Sequence, residues 1–384
     1  MAMRMTQAAP IMFGAGSLEV LGMQLKMRGL KKPIIVTDKG VTAAGVTDKV
    51  VKVIKDAELE YAIYDDCLSD APTDSITVAA NAIRDAKADA IIALGGGSSM
   101  DTAKAASLII KDPKPITELI GKPPGKPDLP IITIPTTAGT GSEVTIVGVL
   151  SNSETHKKSG VVITGADVAI VDPELTVGVP PAITAATGMD VVAHAVEAVT
   201  GKQRNPLSDL KGFEALRLVA AHLPAAVADG SNIVAREGMS LASTLAGMAF
   251  TDSITTLGHA ISQAVASVYP IHHGLICGLA TPPQLELFAS AVPERVRKIA
   301  VIFGADVPYD ATNEQIGKIA ANQMRQFMRS IGIQSLEQLG YTRKQMVDLT
   351  DVLMQEMMIR IAPCEIDRDA AERALGLMCD YQGA

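Results

Sequence analysis

The feature that most constrains this chain is a change of rhythm near residue 172. Before it, short runs rich in Ile and Val alternate with stretches of helical spacing. Pro33–Asp38, Tyr61–Tyr64, Asp89–Leu94, Pro130–Pro135 and Asp167–Asp172 read as strands, and Val46–Ala57, Ser75–Ala86 and Ser98–Ile110 as helices. These strand runs are apolar throughout instead of alternating apolar with polar. Such a strand must be buried on both faces, which predicts a parallel sheet covered by helices on each side. After a turn-rich passage, Pro173–Pro181, strand signal almost vanishes. Ile183–Val199, Leu207–Ala228, Val234–Ala249, Ser253–Val268, Pro293–Phe303, Asn313–Ile331 and Arg343–Arg360 all favour helix. At 384 residues two domains are expected, α/β over 1–180 and all-helical over 181–384.

Composition excludes several functions. Aromatics are 3% with no Trp, so the cores must rest on Ala, Val, Ile, Leu and 17 Met. A net charge of −8 leaves no surplus of cations to replace phosphate counterions, so a nucleic-acid partner is not expected. The four Cys contain no C-x-x-C pair, which fits a reducing compartment better than a disulfide framework. Ser253–Leu285 is free of Asp, Glu, Lys and Arg, yet its His, Gln, Pro and Gly residues leave no apolar run long enough to span a bilayer. Met1–Pro10 does not read as a signal segment. A soluble, cytoplasmic protein without a membrane partner is expected.

Gly95-Gly96-Gly97-Ser98 stands where a strand feeds a helix. Without Cβ atoms, backbone N–H groups there can approach an anion, and the helix start adds partial positive charge. A second turn of small and hydroxyl residues, Thr136–Ser142, follows the strand ending at Pro135. Turns at the carboxyl ends of parallel strands share the crevice where open α/β sheets bind ligands. The usual order of the dinucleotide fingerprint is absent: the candidate acid, Asp38, precedes the glycine turn. Its carboxylate could bond ribose hydroxyls and repel a 2′-phosphate, or merely cap a turn before Gly40.

Six histidines occur. Asp190 and His194 are four apart in a helical pattern and leave the same face. His259 and His273 flank a break at Pro270. Three imidazoles and a carboxylate suit a divalent first-row cation, Fe(II) or Zn(II). Spacing alone does not separate His272 from His273, and His156 and His222 read as structural.

With these residues in place, the chain resembles the iron-dependent, group III alcohol dehydrogenases over essentially its whole length. The resemblance rests on Met12–Gly16, Gly95–Lys104, Thr136–Thr145, Ala185–His194, Leu245–Phe250 and His273-Gly274. It implies a dehydroquinate synthase-like fold: an NAD-binding α/β domain, then an all-helical metal-binding and catalytic domain, with the site in the cleft between. It implies Asp190, His194, His259 and His273 as metal ligands, the last because the family's ligand precedes Gly. It places Gly95, Gly96, Gly97 and Ser98 on the pyrophosphate of NAD, and Asp101, Thr136, Thr137, Thr140 and Lys158 around the cofactor. Asp38 takes the adenosine ribose, and Phe250 lies near the substrate.

Departures from the pattern fall at the chemistry. Gln263 replaces a frequent second His, so it can orient a substrate oxygen but not exchange a proton; His272 is a candidate substitute. Ala71-Pro72, Val147 and Ala362–Glu365 also differ from the family. The resemblance implies hydride transfer between NAD(H) and a small primary alcohol or aldehyde by a homo-oligomer, a dimer or larger. A dehydroquinate synthase-like lyase and a catalytically idle nucleotide- or metal-binding relative are the alternatives.

Overall fold

The computed structural model describes Thr6, residues 9–155 and residues 157–383. The chain divides into two units, Gln7–Gly178 and Val179–Ala384, the latter including Thr6. His156 lies outside the described residues.

The first unit contains β1 (Ile11–Phe13), α1 (Val20–Met27), β2 (Pro33–Val36), α2 (Lys39–Ala43), α3 (Val46–Asp56), β3 (Ala62–Tyr64) and α4 (Thr73–Asp85). It continues with β4 (Ala90–Gly95), α5 (Gly97–Ala106), β5 (Ile131–Pro135), β6 (Val147–Ser151), β7 (Lys158–Val162) and β8 (Val168–Val171). Six strands form one parallel sheet in the order β1-β8-β5-β4-β2-β3. Successive side chains serve opposite cores. Ile34, Val36, Ile91 and Ala93 pack with α4 and α5, whereas Ile35, Ile92 and Leu94 pack with α1 and α3. Both faces are therefore covered, which explains the unbroken apolar runs.

From β2 the chain moves outward to β3, then crosses back so that β4 leads the other way to β5. The carboxyl ends of β2 and β4 thus flank the switch point, where helices diverge and leave a crevice. Asp38 follows β2 and the glycine turn follows β4. In this unit the sequence reading missed β1, three residues long, the helices α1 and α2, and the antiparallel hairpin of β6 and β7. The hairpin's Gly148 comes so close to α5 that a Cβ would sit 3.2 Å from the Asp101 carbonyl oxygen.

No strand follows Val171 among the described residues. The second unit comprises α6 (Pro181–Thr200), α7 (Pro206–Ala228), α8 (Ile233–Ser253), α9 (Leu257–Ala266) and α10 (His273–Phe288). Then come α11 (Pro293–Ile302), α12 (Asn313–Ser330), α13 (Arg343–Val347), α14 (Thr350–Leu353) and α15 (Arg368–Met378). The helix expected over Arg343–Arg360 is thus broken into α13, α14 and a 3₁₀ turn at Met357–Ile361. The helix expected over Ser253–Val268 starts later, because α8 runs on to Ser253 and the chain then turns through Ile254 at φ 59°.

Helix α6 is long and apolar enough to cross a membrane by length and composition, yet 83% of its apolar window is buried inside the protein. A helix enclosed on nearly every side belongs to the centre of a bundle. Close approach to it depends on glycine. A Cβ on Gly274 would lie 2.4 Å from the Ala186 carbonyl oxygen, and one on Gly278 would lie 2.8 Å from Met189 Cβ. These two contacts seat α10 on α6, directly beside Asp190.

Candidate functional site

In the sheet unit the glycine turn makes a cradle that side chains would fill. Gly95 has φ 144°, and a Cβ there would meet Ser99 Oγ at 2.7 Å. A Cβ on Gly97 would meet Thr140 Cγ2 at 2.8 Å, and one on Gly96 would face Thr137 Oγ1 at 3.5 Å. Gly96 caps α5 without any side-chain hydrogen bond, so the first amides of that ten-residue helix stay open to an anion. The Thr136 amide donates to the Gly95 carbonyl at 3.0 Å, which binds the two turns side by side. The cradle fits the pyrophosphate of a dinucleotide.

Asp38 does two things. Its Oδ1 caps α2 by accepting from the Val41 amide at 3.0 Å, while Oδ2 accepts from Ser99 Oγ at 2.9 Å. Ser98 Oγ accepts from the Asp70 amide at 3.0 Å, and Lys158 Nζ pairs with Asp70 Oδ1 at 2.6 Å. Asp101 accepts from Ser142 Oγ at 2.7 Å. Burial raises the Asp101 carboxyl pKa, against the pull of Lys104 and Ser142. Asp101 and Lys158 are thus both engaged in bonds within this unit.

Lys104 was not singled out from the sequence. Fully enclosed, its ammonium donates to Ser142 Oγ (2.8 Å), Thr145 Oγ1 (3.1 Å) and the Val147 carbonyl (3.0 Å). Burial pushes it down to about 8, although Asp101 and Glu143 favour the charge. The lysine ties α5, the Thr136–Ser142 turn and β6 into one piece.

In the helical unit the structure gathers all four expected ligands around one carboxylate oxygen. Asp190 Oδ1 lies 3.6 Å from His259 Nε2, 3.8 Å from His273 Nε2 and 3.9 Å from His194 Nδ1. The rings of His194 and His259 stack with centroids 4.3 Å apart, and Phe250 stacks on His194 at 4.2 Å. Helical periodicity supplies the Asp190–His194 pair, α9 delivers His259, and the first residue of α10 is His273.

Two residues that the sequence reading missed set the tautomers. Glu197, fully buried one turn beyond His194, accepts from the Thr256 amide, from the His259 amide at 3.2 Å and from His259 Nδ1 at 3.2 Å. A carboxylate only accepts, so in the neutral His259 ring the proton is on Nδ1 and Nε2 is left with the lone pair that a cation would take in place of a second proton. Ser262 Oγ lies 2.7 Å from His273 Nδ1 and donates to the His273 carbonyl at 3.2 Å. With its own hydrogen so used, the hydroxyl accepts from Nδ1–H, and His273 Nε2 also keeps its lone pair.

Electron-rich atoms therefore converge in a dry place. Asp190 Oδ1 and His259 Nε2 are buried with no hydrogen bond among the described residues, and their residues are only 3% and 5% exposed. Orphaned acceptors of this kind are costly unless a cation joins them. The electrostatics agree. Burial opposes the Asp190 charge, yet His194, His259 and His273 hold the carboxyl far below the usual range. Burial likewise opposes charge on His259, but Cys277, Glu197 and Asp190 outweigh it and raise its pKa well above the ordinary value. The donor set fits a divalent metal.

The remaining expected site residues are less tightly engaged. Gln263 is half-buried on α9, one turn past His259, and His272 is exposed at the N-cap of α10, outside the cluster. His222 packs on α8, where a Cβ on Gly238 would sit 2.3 Å from its ring.

A chain with a phosphate cradle at the switch point of a parallel sheet and a helical unit built around a histidine–carboxylate cluster has the parts of a nucleotide-dependent metalloenzyme. The iron-containing alcohol dehydrogenase model matches residues 8–173, and the C-terminal model of the Fe-containing alcohol dehydrogenase family matches residues 184–375. The chain belongs to the iron-containing alcohol dehydrogenase family. It is 32% identical to choline dehydrogenase of Bacillus subtilis, over 95% of this chain and 91% of that one. It is 39% identical to NAD-dependent methanol dehydrogenase of Bacillus methanolicus, over 77% and 78% of the two chains. The solved sulfoacetaldehyde reductase of Bifidobacterium kashiwanohense, in complex with NAD+, aligns over 100% of both chains at 33% identity and a TM-score of 0.88. The protein is an NAD-dependent oxidoreductase of the iron-type alcohol dehydrogenase class, and the lyase alternative gives way.

Proposed function

We propose that Asp190, His194, His259 and His273 hold an iron or zinc cation, and that the enzyme interconverts a small primary alcohol and its aldehyde. The observation that carries this reading is the buried convergence of His259 Nε2 and Asp190 Oδ1, two orphaned acceptors 3.6 Å apart. When bound, the cation supplies Lewis acidity toward the substrate oxygen, and the nicotinamide carries the hydride.

The chain's own residues do the rest. Glu197 and Ser262 keep the Nε2 lone pairs of His259 and His273 turned toward Asp190. Phe250, stacked on His194, supplies an apolar wall that excludes water near the substrate. Gln263 orients the substrate oxygen, and exposed His272 is the proposed group for exchanging a proton with solvent. Gly95, Gly96, Gly97 and Ser98 take the pyrophosphate, with Thr136, Thr137 and Thr140 along the rest of the cofactor. Asp101 supports that turn through Ser142, and Lys158 borders the cradle through Asp70. Asp38 receives ribose hydroxyls and disfavours a 2′-phosphate, so NAD is preferred over NADP. A reducing, cytoplasmic setting is supported by four free thiols, and a homo-oligomer by the family likeness.

The test uses metal-loaded protein, NADH and a panel of short aldehydes. NADH should be consumed stoichiometrically with at least one aldehyde; no consumption across the panel would sink the substrate assignment. His259→Ala should abolish turnover and spare NADH binding, whereas equal loss of both would make His259 structural.

A further inference from the structure

One buried side chain faces the metal cluster without a part in the reading above. Cys277 is fully enclosed, on α10 one turn after His273, so both side chains leave the same face of the helix. Its Sγ lies 3.6 Å from His273 Nε2, the atom turned toward Asp190. The ligand atoms of Asp190, His259, His273 and Cys277 all lie within 4.8 Å of one another.

The spacing is informative. At near-tetrahedral angles, nitrogen and oxygen donors bonded to one cation at about 2.0–2.1 Å stand about 3.3–3.4 Å apart, and a sulfur bonded near 2.3 Å stands about 3.5–3.6 Å from them. The separations here are 3.6 Å for His259 Nε2 to Asp190 Oδ1, 3.8 Å for His273 Nε2 to Asp190 Oδ1 and 3.6 Å for Cys277 Sγ to His273 Nε2. The sulfur–nitrogen pair already has that spacing, and a contraction of a few tenths of an ångström about a central ion would bring the two Asp190 pairs to theirs. The glycines at 274 and 278 hold this stretch of α10 against α6, so the thiol stays beside Asp190.

We infer that Cys277 is a further donor to the cation, bound through sulfur alongside Asp190, His259 and His273 and making, with His194, a shell of five donors. The inference rests on the cluster being a metal site. On binding, the S–H bond breaks, its proton passes to solvent and a sulfur–metal bond forms, so no oxidant or reductant is needed. A soft sulfur added to a histidine–carboxylate set favours zinc-type cations over what those nitrogen and oxygen donors alone would hold.

X-ray absorption at the zinc edge of the zinc-loaded full chain tests the inference, together with zinc affinity measured against a competing chelator. The wild-type shell should contain one sulfur near 2.3 Å beside nitrogen and oxygen at about 2.0–2.1 Å. In Cys277→Ser the sulfur should vanish while zinc stays bound, with affinity lowered at least tenfold. A wild-type shell of nitrogen and oxygen alone would overturn the inference and leave the metal site standing. A sulfur that persists in Cys277→Ser, which leaves Cys67, Cys364 and Cys379 as the source, would overturn it too. Absence of zinc binding in the wild type would remove the metal site itself, a failure distinguishable from the other two.

Discussion

Glu197→Gln probes the site most sharply, because it keeps shape and removes one charge. The carboxylate is fully buried and has its two oxygens divided between three donors. Oε2 accepts from the Thr256 amide and His259 Nδ1, and Oε1 accepts from the His259 amide. A glutamine must place its NH2 at one of these positions. Put where Oε1 was, the NH2 meets the His259 N–H, losing one bond and burying donor against donor, at a cost of about 1–3 kcal/mol. Put where Oε2 was, it donates to Nδ1 and drives the histidine proton to Nε2, which removes the lone pair facing Asp190. Loss of an outer partner of a metal-bound histidine typically lowers metal affinity about 10–100-fold, or roughly 1.4–2.8 kcal/mol. Zinc titration against a chromophoric chelator measures this, with NADH binding as the control, because the cradle lies in the other unit. Unchanged zinc affinity together with unchanged denaturant stability would refute the tautomer argument.

Two further predictions follow from packing and charge. Lys104 titrates near 8 when folded, mainly through burial, against an ordinary value of 10.5. Between those values the unfolded chain binds the extra proton, so this group's contribution to stability rises with pH across the window and is lost as pH falls to 8. The amplitude is about 3 kcal/mol; Lys104→Met should flatten the stability-against-pH curve from 8 to 10.5, and parallel curves for both proteins would contradict the assignment. Gly274→Ala should destabilise by about 1–3 kcal/mol through overpacking, because its Cβ would sit 2.4 Å from a backbone oxygen of α6. It should also weaken zinc binding, as His273 moves away from Asp190. Gly178→Ala, with open space around the new methyl, is the control, and equal effects in urea denaturation would contradict the packing account.

What could be read from the sequence divides along a physical line. Ile34, Ile35, Ile91 and Ile92 announced their strands because burial on both faces leaves no polar position to blur the run. The Asp190–His194 pair was legible because both residues lie one turn apart on a single helix. Elements whose formation depends on partners were not. Pro282 and Pro283 disfavour a helix locally where α10 runs, and burial of most of its last two turns overrides that cost. The β6–β7 hairpin carries Gly at 148 and 160, poor strand residues that fit because α5 and the partner strand come close. Glu197 did leave a trace, since with Asp190 it is one of two charges in the apolar stretch 181–200. Cys277 left one too, at helical spacing from His273.

The chain's pattern of apolar periods and glycine turns by itself determined two units, their layers, and which residues were chemically able to hold phosphate or metal, because those properties depend on near neighbours. Only the tertiary structure decided which nitrogens of His259 and His273 turn toward Asp190, that Glu197 and Ser262 orient those rings, and that the Cys277 thiol stands beside them. Those are matters of angle and tenths of an ångström between α6, α9 and α10, and they arise only when distant segments are pressed together.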